Sequence, residues 1–109
     1  MHQTQSAENR YAQLVEWFQG RPNVSQEGKG FGSSALKVNG RIFAMLTSRS
    51  EFVVKLPRQR VEQLIQSGDG VAFDAGKGRT MKEWLVLQTT SSVAWSTLTE
   101  EALAFVGRI

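Results

Sequence analysis

The chain contains no cysteine, which removes disulfide cross-links, a thiol nucleophile and thiolate metal ligands from consideration. That absence fits a reducing compartment, and a cytoplasmic location is expected. The single histidine, His2, lies in a polar N-terminal run. No third residue would hold it there, so neither Ser-His-Asp catalysis nor a histidine-built metal site is expected. No stretch approaches the roughly 18 apolar residues that cross a bilayer. The opening MHQTQSAENR also lacks the basic-then-apolar pattern of a secretory signal. Charge of one sign is scarce as well, since 13 Lys and Arg against 10 Asp and Glu leave only +3. Such a balance permits contact with polyanions without requiring it. The acids are scattered rather than paired, so no two-carboxylate mechanism is visible. The expectation from these absences is a protein that is not an enzyme and carries no cofactor or metal.

What is present has the length and mixture of one α+β domain, 109 residues with 40% hydrophobic and 21% charged. Residues 1–5 are expected to fray, leaving a single domain over 6–109. The stretch that organises it is ALKVNGRIFAMLTSRSEFVVKL, residues 35–56. Asn39-Gly40 favours the positive φ angles of a type I′ hairpin turn, and a longer turn follows at residues 47–50. Three antiparallel strands result. The middle one, residues 42–46, is apolar on both sides, with Ile42, Ala44 and Leu46 on one face and Phe43 and Met45 on the other. Before this meander a helix starts at Ser6 and buries Tyr11, Leu14, Val15 and Phe18, spaced i, i+3, i+4 and i+7. Trp17 is expected to cover the edge of that stripe. Gly20 and Pro22 stop the helix, and residues 21–34 read as a polar, Gly-rich connection.

After the meander, Pro57 opens a second helix with an apolar face of Val61, Leu64 and Ile65, closed by Gly68. Residues 70–73 and 84–88 supply two more strands. Thr97 and Glu100 form a capping box for a last helix that buries Leu98, Ala102, Phe105 and Val106. The order is α-β(3)-α-β(2)-α, a two-layer α+β fold with helices on one face of a five-stranded antiparallel sheet. The face carrying Phe43 and Met45 then needs a cover. A homodimer or protein partner is one candidate, and loops or Trp95 folding back are others.

Two polar segments invite a chemical reading. Gly28-Lys29-Gly30-Phe31-Gly32-Ser33 superficially resembles a phosphate loop, but it precedes a strand and lacks the Gly-Lys-Ser/Thr ending, so flexible glycines are the expectation. Lys77, Arg79 and Lys82 place three cations within six residues beside Trp84, an arrangement that can hold phosphates and stack bases. Arg58 and Arg60 would extend that patch to the start of the second helix, where cations are mildly unfavourable. Nucleic acid is therefore the alternative partner to a protein.

The runs LKVNGRIFAML (36–46), VVKLP (53–57), RVEQLIQSGDGVAFDAGKGRTMKEWLVL (60–87) and EEALAFV (100–106) together resemble the bacterial YjbR/MmcQ proteins. They also resemble the related N-terminal domain of TfoX-type competence regulators. The stretch from Phe73 to Trp84 is the most specific part, and the likeness spans roughly residues 7–106. It implies an α-β(3)-α-β(2)-α fold akin to secretion chaperones and to the frataxin-like CyaY arrangement. Functionally it implies little beyond a hint of DNA binding and regulation. The chain is too short to carry the C-terminal domain of the TfoX proteins. An acidic, iron-binding first helix of the frataxin kind is not matched by Glu8 and Glu16 beside Arg10.

Overall fold

The computed structural model describes residues 6–26, 35–74 and 80–108. Within them the chain runs α1 (Ala7–Phe18), β1 (Val24–Gln26), β2 (Leu36–Val38), β3 (Arg41–Leu46), β4 (Phe52–Lys55), α2 (Arg58–Gln66), β5 (Gly70–Asp74), β6 (Thr80–Leu87) and α3 (Trp95–Gly107). The fold is α+β. Its six strands form one antiparallel sheet in the order β1-β2-β3-β4-β6-β5. The expected frayed tail at residues 1–5 and the glycine loop at residues 28–33 lie outside the described residues.

The β2–β3 hairpin forms where Asn39-Gly40 places it, with φ of 53° and 80° at the two turn residues. The sheet has six strands rather than the expected five, because the polar connection after α1 contains a short edge strand. Asn23, at φ 63°, reverses the chain there, and Val24 then pairs with Val38. Three residues of alternating half-buried and exposed character form too weak a pattern to stand out among polar neighbours.

A β-bulge changes the middle strand. Leu36 pairs with Ala44 and Lys37 with Ile42, so Phe43 is the extra residue on β3. The bulge turns Phe43 and Ala44 toward the same side, and both are fully buried. This corrects the expectation that Phe43 faces a partner with Met45: Phe43 packs in the main core against Phe18, ring centroids 6.4 Å apart. Met45 stays on the other face, half-buried, aligned with Val53, Val86 and Val71 across four strands.

Side chains from all three helices join one buried cluster with the strands. Tyr11, Leu14, Val15 and Phe18 come from α1, Val61 and Leu64 from α2, and Leu98, Ala102 and Val106 from α3. Burial within this cluster pushes the Tyr11 hydroxyl well above its ordinary pKa. Gly70 is required by close packing, since a Cβ there would lie 2.7 Å from Leu85 Cδ1 and 2.8 Å from the Val86 carbonyl oxygen. Ile65, expected inside with Val61 and Leu64, is exposed on α2. None of the described helices is long and apolar enough to cross a membrane.

The helix ends separate local from tertiary signals. Ser6 caps α1 as expected, its hydroxyl accepting from the Asn9 amide at 3.1 Å. Pro57 and Gly68 bound α2, with Gly68 at φ 83°. The Thr97–Glu100 capping box does not form. The α3 helix begins three residues earlier, at Trp95, behind Ala94, which offers no capping side chain. Glu100 turns instead to a partner on the α1–β1 connection, described next.

Candidate binding groove

Along α1, Arg10, Gln13, Leu14 and Trp17 recur at i, i+3, i+4 and i+7, one column down the helix. Leu14 is buried and anchors this column to the core, while Trp17 projects outward at 69% exposure. The expectation that Trp17 covers the edge of the apolar stripe is therefore not met. Facing the column is the start of α3. The Trp95 ring lies flat on Phe52 of the core, centroids 4.2 Å apart and planes within 6°. The Arg10 guanidinium carbon sits 4.1 Å over the same indole. The result is a Phe52–Trp95–Arg10 stack running from core to surface.

The connections around this stack are held by hydrogen bonds. Asp69, after α2, accepts from Ser67 at 2.6 Å and from Ser91 at 2.7 Å, and these two bonds hold its carboxyl below the usual carboxylate range. Ser91 Oγ in turn accepts from the Val93 amide at 3.1 Å, fixing the approach to Ala94 and Trp95. On the α1 side, the Ser50 hydroxyl donates to Glu8 and lowers that carboxyl too. Ser50 has φ 64°, and Thr47 Oγ1 accepts from the Arg49 and Glu51 amides, so the β3–β4 turn is pinned beside α1.

Two clefts flank Arg10 and Trp95. One, of about 260 Å³, lies between Arg10, Gln13 and Trp17 and the Ala94–Ser96 start of α3. The other, of about 390 Å³, is lined by Arg49, Ser50, Glu51 and Phe52 on one side and by Gln88 and Thr89 on the other. Among the described residues, neither Arg10 nor Arg49 has a carboxylate partner. The first turn of α3 contains no acid, so its backbone N–H groups add positive potential to the smaller cleft.

The cations singled out in the sequence fare differently. Lys77 and Arg79 lie outside the described residues. Lys82 is exposed on β6, and the register brings Lys55 opposite Trp84 with its Nζ 5.5 Å from the indole centroid. Arg58 and Arg60 do not form a free extension of that patch. Arg58 pairs with Glu62 one turn along α2 at 3.2 Å. Arg60 grips Glu101 through Nε at 2.8 Å and Nη2 at 3.2 Å. Arg21 makes a similar two-pronged contact with Glu100, with Nη1 at 3.0 Å from Oε1 and Nη2 on Oε2. That bonding lowers the Glu100 carboxyl and raises Arg21.

Sequence reasoning missed Arg10, Arg49 and Trp95 as a group because they come from three distant segments. The available signal was on α1, where Arg10, Gln13 and Trp17 depart together from the buried stripe. Among the described residues no group of three or more His, Asp or Glu side chains is placed to hold a metal ion. No family model, curated protein or solved structure matches this chain.

Proposed function

We propose that the chain is a non-catalytic binding or adaptor domain, cytoplasmic and YjbR/MmcQ-like, that takes a protein segment into the groove between α1 and the start of α3. The observation that carries this reading is Trp17, a large aromatic left 69% exposed beside Arg10 and Trp95. Trp and Arg are the residues most enriched where a few side chains supply most of a protein interface's energy. An exposed indole on a polar helix face costs solubility, and a partner that buries it offsets that cost. The element order agrees with the family's α-β(3)-α-β(2)-α arrangement apart from the short β1. A two-layer arrangement, all helices on one sheet face, is supported by the single core cluster they share. Met45 belongs to the opposite face, where a second copy remains the alternative partner.

A random-peptide library panned against the full chain tests the groove. Retained peptides should compete with one another and be lost from the Trp17→Ala chain. Retention unaffected by Trp17→Ala would remove the groove from the proposal.

A second reading, nucleic-acid binding at the opposite end of the sheet, is favoured by one observation. Lys55 and Trp84 sit together across β4 and β6, with exposed Lys82 two residues from Trp84; Lys77 and Arg79 precede them in the sequence. Cations beside a stacking aromatic are the elements of single-strand recognition. Affinity for DNA or RNA should then fall steeply with salt, and Arg79→Ala should flatten that slope. No binding at low salt would rule this reading out.

A further inference from the structure

We infer that the occupant of the α1–α3 groove is a short acidic segment, with a carboxylate on Arg10 and a bulky apolar side chain on Trp17 about three residues away. The inference rests on the groove reading above and adds the chemistry of what enters.

Charge points to a carboxylate. Arg10 and Arg49 are the guanidiniums beside the two clefts, and neither is neutralised by a described carboxylate. Arg10 is already held in place on Trp95 at 4.1 Å, so it presents its remaining N–H donors with little further ordering. A planar carboxylate matches that fork. A polyphosphate fits less well. Glu51 lines the wider cleft and Glu8 bonds to Ser50 of that lining, and these carboxylates would repel a chain of phosphates while tolerating one well-placed anion.

Trp17 and the size of the cleft point to an apolar neighbour. The cleft beside it holds about 260 Å³, below the roughly 300–1,000 Å³ of typical small-molecule sites. That volume suits a single anchoring side chain rather than a whole metabolite. Arg10 and Trp17 are seven residues apart on α1, a rise of about 10.5 Å at 1.5 Å per residue. An extended chain covers that distance in about three residues at roughly 3.3 Å each. The fitting segment therefore reads Asp-x-x-Phe or its equivalent with Glu and another bulky apolar residue.

The test uses labelled peptides carrying Asp-Ser-Ser-Phe, Asn-Ser-Ser-Phe, Asp-Ser-Ser-Ser and Lys-Ser-Ser-Phe cores, titrated against the full chain by fluorescence anisotropy. The Asp-Ser-Ser-Phe core should bind at least tenfold tighter than the Asn core and the Phe-less core. Arg10→Glu should reverse the ranking, so that the Lys core binds better than the Asp core. Thermal melts of the Arg10→Glu and Trp17→Ala chains should stay within a few degrees of the parent, Trp17 being exposed and Arg10 half-buried over Trp95. Equal binding of Asp and Asn cores, still lost with Trp17→Ala, would overturn the acidic chemistry and leave the groove standing. Absence of Trp17-dependent binding by every peptide, panned ones included, would overturn both. A single-stranded oligonucleotide that displaces the Asp core would make the occupant a nucleic acid and overturn the inference.

Discussion

The middle and the N-terminal end of α3 treat arginine in opposite ways. Midway along the helix, Glu100 and Glu101 each take a guanidinium from another element, Arg21 after α1 and Arg60 on α2. At its N-terminal end, Arg10 meets an indole instead of a carboxylate, and no acid occupies the first turn. The middle is neutralised by the protein itself, and its pairs link α3 to α2 and to the α1–β1 connection. The N-terminal end leaves charge and an exposed tryptophan facing outward. The contrast shows that density of cations along a sequence is a poor guide to which of them the fold leaves without a carboxylate. Arg58 and Arg60, two residues apart, are both paired with acids, while Arg10 and Arg49, far apart in sequence, line one cleft without a described carboxylate partner.

Several changes would break or sharpen that contrast. The largest effect is expected from Phe52→Ala, since Phe52 is 2% exposed and forms the base of the Trp95 stack. Its loss should cost about 3–5 kcal/mol in urea unfolding and remove groove binding with it. A smaller cost would show that Trp95 is supported from elsewhere. Next comes Arg10→Ala, which should reduce affinity for a retained peptide at least tenfold while leaving the unfolding midpoint unchanged. A shift in midpoint comparable to that of a core substitution would make Arg10 a structural residue like Arg60.

At the middle of α3, Arg60→Gln and Glu101→Gln should each destabilise slightly, with a coupling of roughly 0.5–1 kcal/mol in a double-mutant cycle. Neither should alter peptide affinity beyond twofold. A loss of affinity there equal to that of Arg10→Ala would mean that bulk charge, not the groove, attracts the ligand. The smallest effect concerns pH. Glu100 is lowered chiefly by the Arg21 hydrogen bond, Asp69 by Ser67 and Ser91, and Glu8 by Ser50. A carboxyl lowered in the folded state contributes stability that is present above its unfolded value of about 4.3 and lost as pH falls through the folded value. Stability should therefore decline on acidification below about pH 4.5, and Glu100→Gln should flatten part of that decline. A decline unchanged by Glu100→Gln would place it on the other carboxyls.

Much of the fold was legible because its signals are local. Asn39-Gly40 needs only its own backbone to demand a I′ turn, and Ser6, Pro57 and Gly68 act within one helical turn. The four-residue stripe of α1 was equally plain, and all four residues are buried. What was hidden depends on neighbours across the sheet. The bulge that carries Phe43 into the core arises from the register between β2 and β3, which alternation along β3 alone does not encode. The start of α3 was misplaced because Glu100, a good capping residue by position, is drawn to Arg21. The groove was the least legible feature. Arg10 and Trp95 are brought together only when α1 and α3 pack on the same core, and Lys55 joins Trp84 only through strand pairing.

The tryptophans allow a direct test, because the chain has three and they report on different places. Trp17 and Trp95 line the groove, and Trp84 stands beside Lys55 toward the opposite end of the sheet. In a ¹⁵N-labelled sample each indole gives its own N–H signal, which can be followed during titration with the Asp-Ser-Ser-Phe peptide. With the segment in the groove, the Trp17 and Trp95 signals should move together and saturate while Trp84 stays still. Movement of Trp84 with Trp17 and Trp95 unchanged would contradict binding in the groove and place recognition at the Lys55–Lys82 end.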